Sequence, residues 1–131
     1  MRPEEIGVFV RSAVEMDRAK DSVGRAGLAI NVLEDNVESV MGRVSVGTMH
    51  LAKGLEFRAV AVLACDDEVI PSQSRIEAAG EESGLVYNTE RHLLYVACTR
   101  ARDFLLVSGS APVSEFLEDL AGKRIEGAKA G

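Results

Sequence analysis

The chain has 131 residues, 47% hydrophobic and 27% charged, with a formal net charge of −6. That length suits one domain around one core, and the balance excludes a disordered chain and a protein drawn to nucleic acid or lipid by its overall charge. The charge is uneven, however: from Asp66 to Thr89 six acidic side chains stand against Arg75 alone, so the remainder is near neutral and a nucleic-acid contact elsewhere is allowed.

Ile6–Val10 (IGVFV) is a short apolar run rich in β-branched residues and predicts a buried strand. Ser12 with Glu15 three positions on has the form of a capping box. Met16, Ala19, Val23 and Ala26 then recur at helical spacing, and Gly27 suits a carboxyl-terminal cap. Leu28–Leu33 (LAINVL) predicts a second strand, so the first third reads as a βαβ unit. Glu34–Gly42 is a polar connection, and Arg43–Met49 alternates like a strand. Arg58–Cys65 (RAVAVLAC) is apolar on both faces, as a central parallel strand requires.

Asp66–Tyr87 has no clear period and predicts a long loop, with a short helix at Arg75–Ala79. Asn88–Ala101 predicts a helix, with Leu93, Leu94, Ala97, Cys98 and Ala101 on one face and Asn88 or Thr89 capping its start. Phe104–Gly109 predicts another buried strand, and Ala111–Leu120 a final amphipathic helix with Pro112 in its first turn. The polar tail 121–131 is expected to be disordered, leaving residues 1–120 as the domain. Strands alternating with helices predict a mainly parallel α/β sheet with ligands at the carboxyl ends of its strands. Cys65 and Cys98 sit in apolar surroundings without CxxC spacing, which points to reduced core thiols and a cytoplasmic protein. No signal-peptide pattern or membrane-length apolar run is present, so no membrane partner is expected.

Two stretches carry chemistry. In Thr48–Phe57 (TMHLAKGLEF), Thr48 and His50 offer hydrogen bonds to phosphate oxygens, Lys53 a point charge, Gly54 close backbone approach and Glu56 an acceptor for ribose hydroxyls. A turn with a solvated Lys–Glu pair accounts for the same spacing equally well. In Tyr95–Asp103 (YVACTRARD), a helix ends with Arg100 and Arg102. Arg102 is explained by the helix macrodipole. Arg100, at the last turn, is placed to project a guanidinium toward a phosphate presented by another domain.

Taken together, TMHLAKGLEF and TERHLLYVACTRAR closely resemble motifs V and VI of the UvrD/Rep/PcrA-type helicases of superfamily 1, which read approximately T-x-H-x-x-K-G-L-E-F and E-R-R-L-L-Y-V-A-x-T-R-A-R. Both occur in the family's order, each followed by an apolar strand. The stretch from Val8 to Leu33 is similar to the segment that opens the family's second motor domain. The resemblance covers about Ile6 to Leu120. It implies a RecA-like fold and one half of a two-domain, ATP-driven 3′-to-5′ motor on single-stranded DNA, of the kind used in DNA repair among other pathways. It implies that Arg100 is the arginine finger, that Lys53, Gly54 and Glu56 line the nucleotide cleft, and that Arg11, Ser12, Thr48 and His50 grip DNA.

Several departures qualify that picture. No G-x-x-x-x-G-K-[ST] occurs, so ATP and Mg²⁺ are expected to be held mainly by the family's amino-terminal RecA-like domain, and this domain alone is expected to be inactive. The short Glu34–Gly42 gap implies a compact form without the family's large insertion domain. Ala13 and Ser72 stand where Asn and His are common, with Ser12 and Arg75 as partial substitutes; His92 replaces an Arg in motif VI. Asp66, Asp67 and Glu68 read as solvated loop acids rather than as a metal site. The alternative function is a non-catalytic docking module that uses the acidic stretch 66–89 as its partner surface.

Overall fold

A computed structural model describes residues 1–34, 38–66, 69–110 and 112–120, the last three by backbone alone. Asp67, Glu68 and the tail 121–131 lie outside the described residues. Five strands form one sheet: β1 (Ile6–Val10), β2 (Ala29–Val32), β3 (Arg43–Thr48), β4 (Phe57–Val62) and β5 (Ala101–Val107). Their order is β2-β3-β1-β4-β5 and every pairing is parallel. Three helices accompany them, α1 (Met16–Arg25), α2 (Gln73–Ala79) and α3 (Ser83–Cys98).

Alternation along the strands sorts the side chains into two cores. Val8 and Val10 of β1 and Val44 and Val46 of β3 meet Ala19 and Val23 of α1 on one face. Phe9, Phe57, Val60, Val62 and Val107 meet Leu94, Ala97 and Cys98 of α3 on the other. Gly7 and Gly47 are dictated by closeness: an added Cβ would lie 2.6 Å from the Phe57 ring at Gly7 and 2.9 Å from Leu33 Cβ at Gly47.

The observed elements depart from the sequence expectations in several places. The backbone turns at Ser12, but no side-chain cap bond forms there, so the capping box is absent and Ser12 contributes its carbonyl to Glu15 N–H instead. The acidic stretch is largely helical rather than a loop: α2 ends at Gly80, whose φ of 55° lies in the left-handed region open to glycine, and α3 starts at Ser83. Asn88 and Thr89 therefore lie inside α3, where Thr89 Oγ1 donates to Leu85 O at 2.9 Å, rather than capping it. Ala101 opens β5 instead of closing the helix. The final amphipathic helix is a 3₁₀ segment over Glu115–Leu120, with Phe116 and Leu117 buried and Phe116 packed edge-on to Tyr87 at 5.0 Å.

Candidate functional site

The connection from β3 to β4 decides where the functional side chains stand. Because both strands are parallel, residues 49–56 must return from the carboxyl edge of the sheet to its amino edge, past β1. Strands of this length separate the two edges by about 17–20 Å. Parallel crossovers usually use a helix of a dozen residues or more. This one is a single 3₁₀ turn, Met49–Leu51, followed by a second turn closed by Leu55 N–H to Ala52 O at 3.0 Å; the run is held down by buried Met49 and Ala52 and half-buried Leu51 and Leu55. Gly54 sits in that second turn with a φ of 84°, a backbone conformation that L side chains rarely adopt, and a Cβ added there would meet no atom of this chain within 4 Å.

At the carboxyl edge lies a polar network. Arg11, directly after β1, is 5% exposed and holds Glu90 of α3 in a fork: Nε to Oε1 at 2.7 Å and Nη2 to Oε2 at 2.5 Å. Arg11 Nη1 lies 3.2 Å from His50 Nε2. Glu90 is fully buried, accepts Ser72 N–H at 2.8 Å and lies 3.5 Å from Arg75 Nη1. Burial raises the Glu90 carboxyl, but the hydrogen bonds from Arg11 and Ser72 and the charges of Arg11 and Arg75 outweigh it, leaving its pKa below the usual carboxylate value. Arg11, read from sequence as a direct DNA contact, is therefore an internal group whose fork is spent on Glu90. His50 is exposed, while Ser12, next to Arg11 in the chain, and Thr48, two residues before His50, are half-buried, with no cap bond from the Thr48 hydroxyl.

A second carboxylate at this edge is also internally paired. Arg18 of α1 donates to Asp66 at 2.7 and 3.3 Å, and Ser110 N–H donates to the same carboxylate at 2.7 Å. Asp66 is thus an ion-paired clamp that joins α1 to the segments following β4 and β5, rather than a solvated loop acid. Among the described residues no group of three or more His, Cys, Asp or Glu is placed to hold a metal ion.

The amino edge holds the other set. Arg100 was expected to project outward; it folds back instead, with Nε donating to Val96 O at 3.0 Å, Nη1 to Leu55 O at 3.4 Å and Nη2 to Thr99 Oγ1 at 3.1 Å. Its backbone carbonyl accepts Phe57 N–H at 2.9 Å, which seals the start of β4 against β5. Arg100, rather than Arg102, thereby satisfies the carboxyl end of α3. Arg102 lies in β5, 54% exposed, with Nε 3.6 Å from Oε1 of Glu56, itself 67% exposed. Lys53 is exposed. Glu56, Arg100 and Arg102 thus converge at one end of the sheet and His50, Arg11 and Glu90 at the other.

A UvrD-like helicase C-terminal domain model matches residues 1–111. The chain belongs to that family. It is 34% identical over 119 residues to the probable DNA helicase II homolog of Rickettsia conorii, covering 89% of this chain and 17% of that protein. It is 43% identical over 65 residues to the putative ATP-dependent DNA helicase YjcD of Bacillus subtilis, covering 50% of this chain and 9% of that one. Against the ATP-dependent DNA helicase PcrA of Staphylococcus aureus the figures are 35% over 65 residues, 50% and 8%. The chain therefore spans a small part of the helicases it matches. A solved structure, the C-terminal domain of a possible DNA helicase from Lactobacillus plantarum, shares the fold with a TM-score of 0.65 at 22% identity, covering 95% of this chain and 68% of that one. The fold is RecA-like α/β, as the motifs implied.

Within this UvrD-like domain, sequence reasoning missed Glu90, Arg18 and Asp66 as organising groups. Glu90 had left a signal: it stands four and seven residues before Leu94 and Ala97, on the buried stripe of α3, where an acid without a partner would not be tolerated. The two cysteines are free and buried, as expected; burial pushes the Cys98 thiol up to about 11, and Cys65 higher still. No helix among the described residues is long and apolar enough to cross a membrane.

Proposed function

We propose that this chain is the second motor domain of an ATP-dependent 3′-to-5′ DNA helicase or translocase, that it completes the ATPase site with Arg100, and that it grips single-stranded DNA with His50, Thr48 and Ser12. The observation that carries this reading is the course of residues 49–56, which puts His50 at the carboxyl edge and Glu56 beside Arg102, near Arg100, at the amino edge. One short segment then faces DNA with one end and nucleotide with the other. The names of the helicases it matches supply the substrate classes.

At the amino edge Arg100 would exchange its long bond to Leu55 O and its bond to Thr99 for oxygens of a γ-phosphate held by the partner RecA-like domain, stabilising the charge that builds there during transfer. Glu56 and Lys53 would meet the ribose and phosphates of the same nucleotide. ATP with Mg²⁺ supplies the free energy when bound at that composite site. Arg11 acts from inside rather than on the strand. The phosphate cradle is missing from this chain, so the isolated domain is expected to bind nucleotide only weakly and to hydrolyse none.

The test is single-stranded-DNA-stimulated ATPase of the natural protein that contains this chain. Arg100→Ala should lower kcat by about 10³-fold or more, the worth of an arginine finger, with the far-ultraviolet circular dichroism unchanged. Arg102→Ala should lower it far less. Undiminished turnover in Arg100→Ala removes the motor reading and leaves the acidic segment as the surface to pursue.

A further inference from the structure

Glu90 is a fully buried charge with no role in the reading above. A leucine on the same stripe of α3 would pack without the cost of burying a carboxylate, so the charge calls for a purpose other than packing. Three donors converge on it: the Arg11 fork, Ser72 N–H and Arg75. The fork fixes the plane of the Arg11 guanidinium, and its remaining edge faces His50 Nε2 at 3.2 Å. A guanidinium has donors and no acceptor, so Nε2 accepts. The ring is then neutral and carries its proton on Nδ1. His50 is exposed, so Nδ1–H is the donor it has left to offer a ligand.

We propose that Glu90 and Arg11 are positioning residues that fix the tautomer and orientation of His50, so that its Nδ1–H is presented to an acceptor on single-stranded nucleic acid at the carboxyl edge. The inference rests on the proposed function only for the identity of that acceptor. It also accounts for an arginine directly after β1 that is spent internally. The same arrangement ties α3 to the first turn after β3, since Glu90 is reached from one element and His50 from the other.

The test combines selective ¹⁵N-histidine labelling of the protein, with His50→Gln to assign the resonance, and anisotropy titration of a labelled oligothymidylate. The key variant is Arg11→Met/Glu90→Gln, which buries no charge and keeps an oxygen for Ser72 N–H. Arg11→Lys is the second variant, because it keeps the charge beside Glu90 but lacks the fork. The wild-type ring should be the Nδ1–H tautomer, and both variants should show mixed tautomers. Both should weaken oligothymidylate binding about 5-fold, the worth of one hydrogen bond. In a His50→Ala background the same substitutions should change affinity by less than about 2-fold, since coupled groups are not additive. An unchanged tautomer, or a full additional loss in the His50→Ala background, overturns the proposal. If the tautomer shifts but His50→Ala binds oligothymidylate like wild type, the positioning stands and the nucleic-acid reading of His50 falls.

Discussion

Glu90→Ala gives the sharpest test of how this domain is held together. The substitution leaves the Arg11 guanidinium 5% exposed with no carboxylate, and removes hydrogen bonds of 2.7 and 2.5 Å. Breaking a buried ion pair from one side costs about 3–5 kcal/mol, because the stranded charge keeps its desolvation penalty without its partner. For a chain of 131 residues that corresponds to a fall in Tm of about 10–20 °C. Replacing both partners, Arg11→Met/Glu90→Leu, strands no charge; the remaining cost is the orphaned Ser72 N–H, about 1–3 kcal/mol. The double variant should therefore be more stable than the single one. Urea unfolding followed by circular dichroism measures both. A single variant within about 0.5 kcal/mol of wild type, or a double variant less stable than the single, would refute the claim that the pair is buried and mutually dependent.

Acid should act on the same groups. The folded-state pKa values of Glu90 and Asp66 are both lowered against the upward pull of burial, by Arg11 and Ser72 in one case and by Arg18 and Ser110 in the other. Their contribution is complete above the unfolded values, about 4, and is lost as pH falls through the lower folded values. Urea midpoints should fall below about pH 4, with a shallower fall in Asp66→Asn; equal midpoints across the acid range would contradict the assignment. Gly109→Ala should be more damaging than Gly54→Ala. At Gly109 an added Cβ would lie 2.5 Å from the carbonyl carbon of Cys65 and 2.6 Å from its oxygen, backbone that cannot swing away, whereas Gly54 carries only its φ of 84°. Losses of about 3 and about 1 kcal/mol are expected in thermal unfolding, and the reverse order would show that the β4–β5 seam is loosely packed.

Much of the fold was legible because burial and strand periodicity leave a direct imprint. Five strands and α1 lie where apolar runs and helical spacing put them, within a few residues. The acidic segment was misread because its charge obscured the period of α2 and the first turns of α3: Glu77 is exposed on α2, and Glu81 and Glu82 are exposed in the 3₁₀ turn Gly80–Glu82 that joins the two helices. The final helix was misread because Phe116 and Leu117 are consecutive and both buried, a pattern that a 3₁₀ segment meets as well as an α-helix. Arg100 and Arg102 exchanged expected surroundings because the helix ends three residues sooner than its apolar stripe suggested.

By itself the sequence determined the family, through two long motifs in order, and the parallel α/β class, through alternating apolar strands and helices. Those are local or composition-level properties, carried by residues near one another in the chain. Tertiary structure decided which of those residues work together. The fork from Arg11 to Glu90 joins positions 79 residues apart, and the bond from Arg18 to Asp66 joins positions 48 apart. Strand order sends His50 and Glu56, six residues apart in TMHLAKGLEF, to opposite edges of the sheet. Hydrogen-bond partners across such separations are set by register and packing, and neither is written in the spacing of a motif.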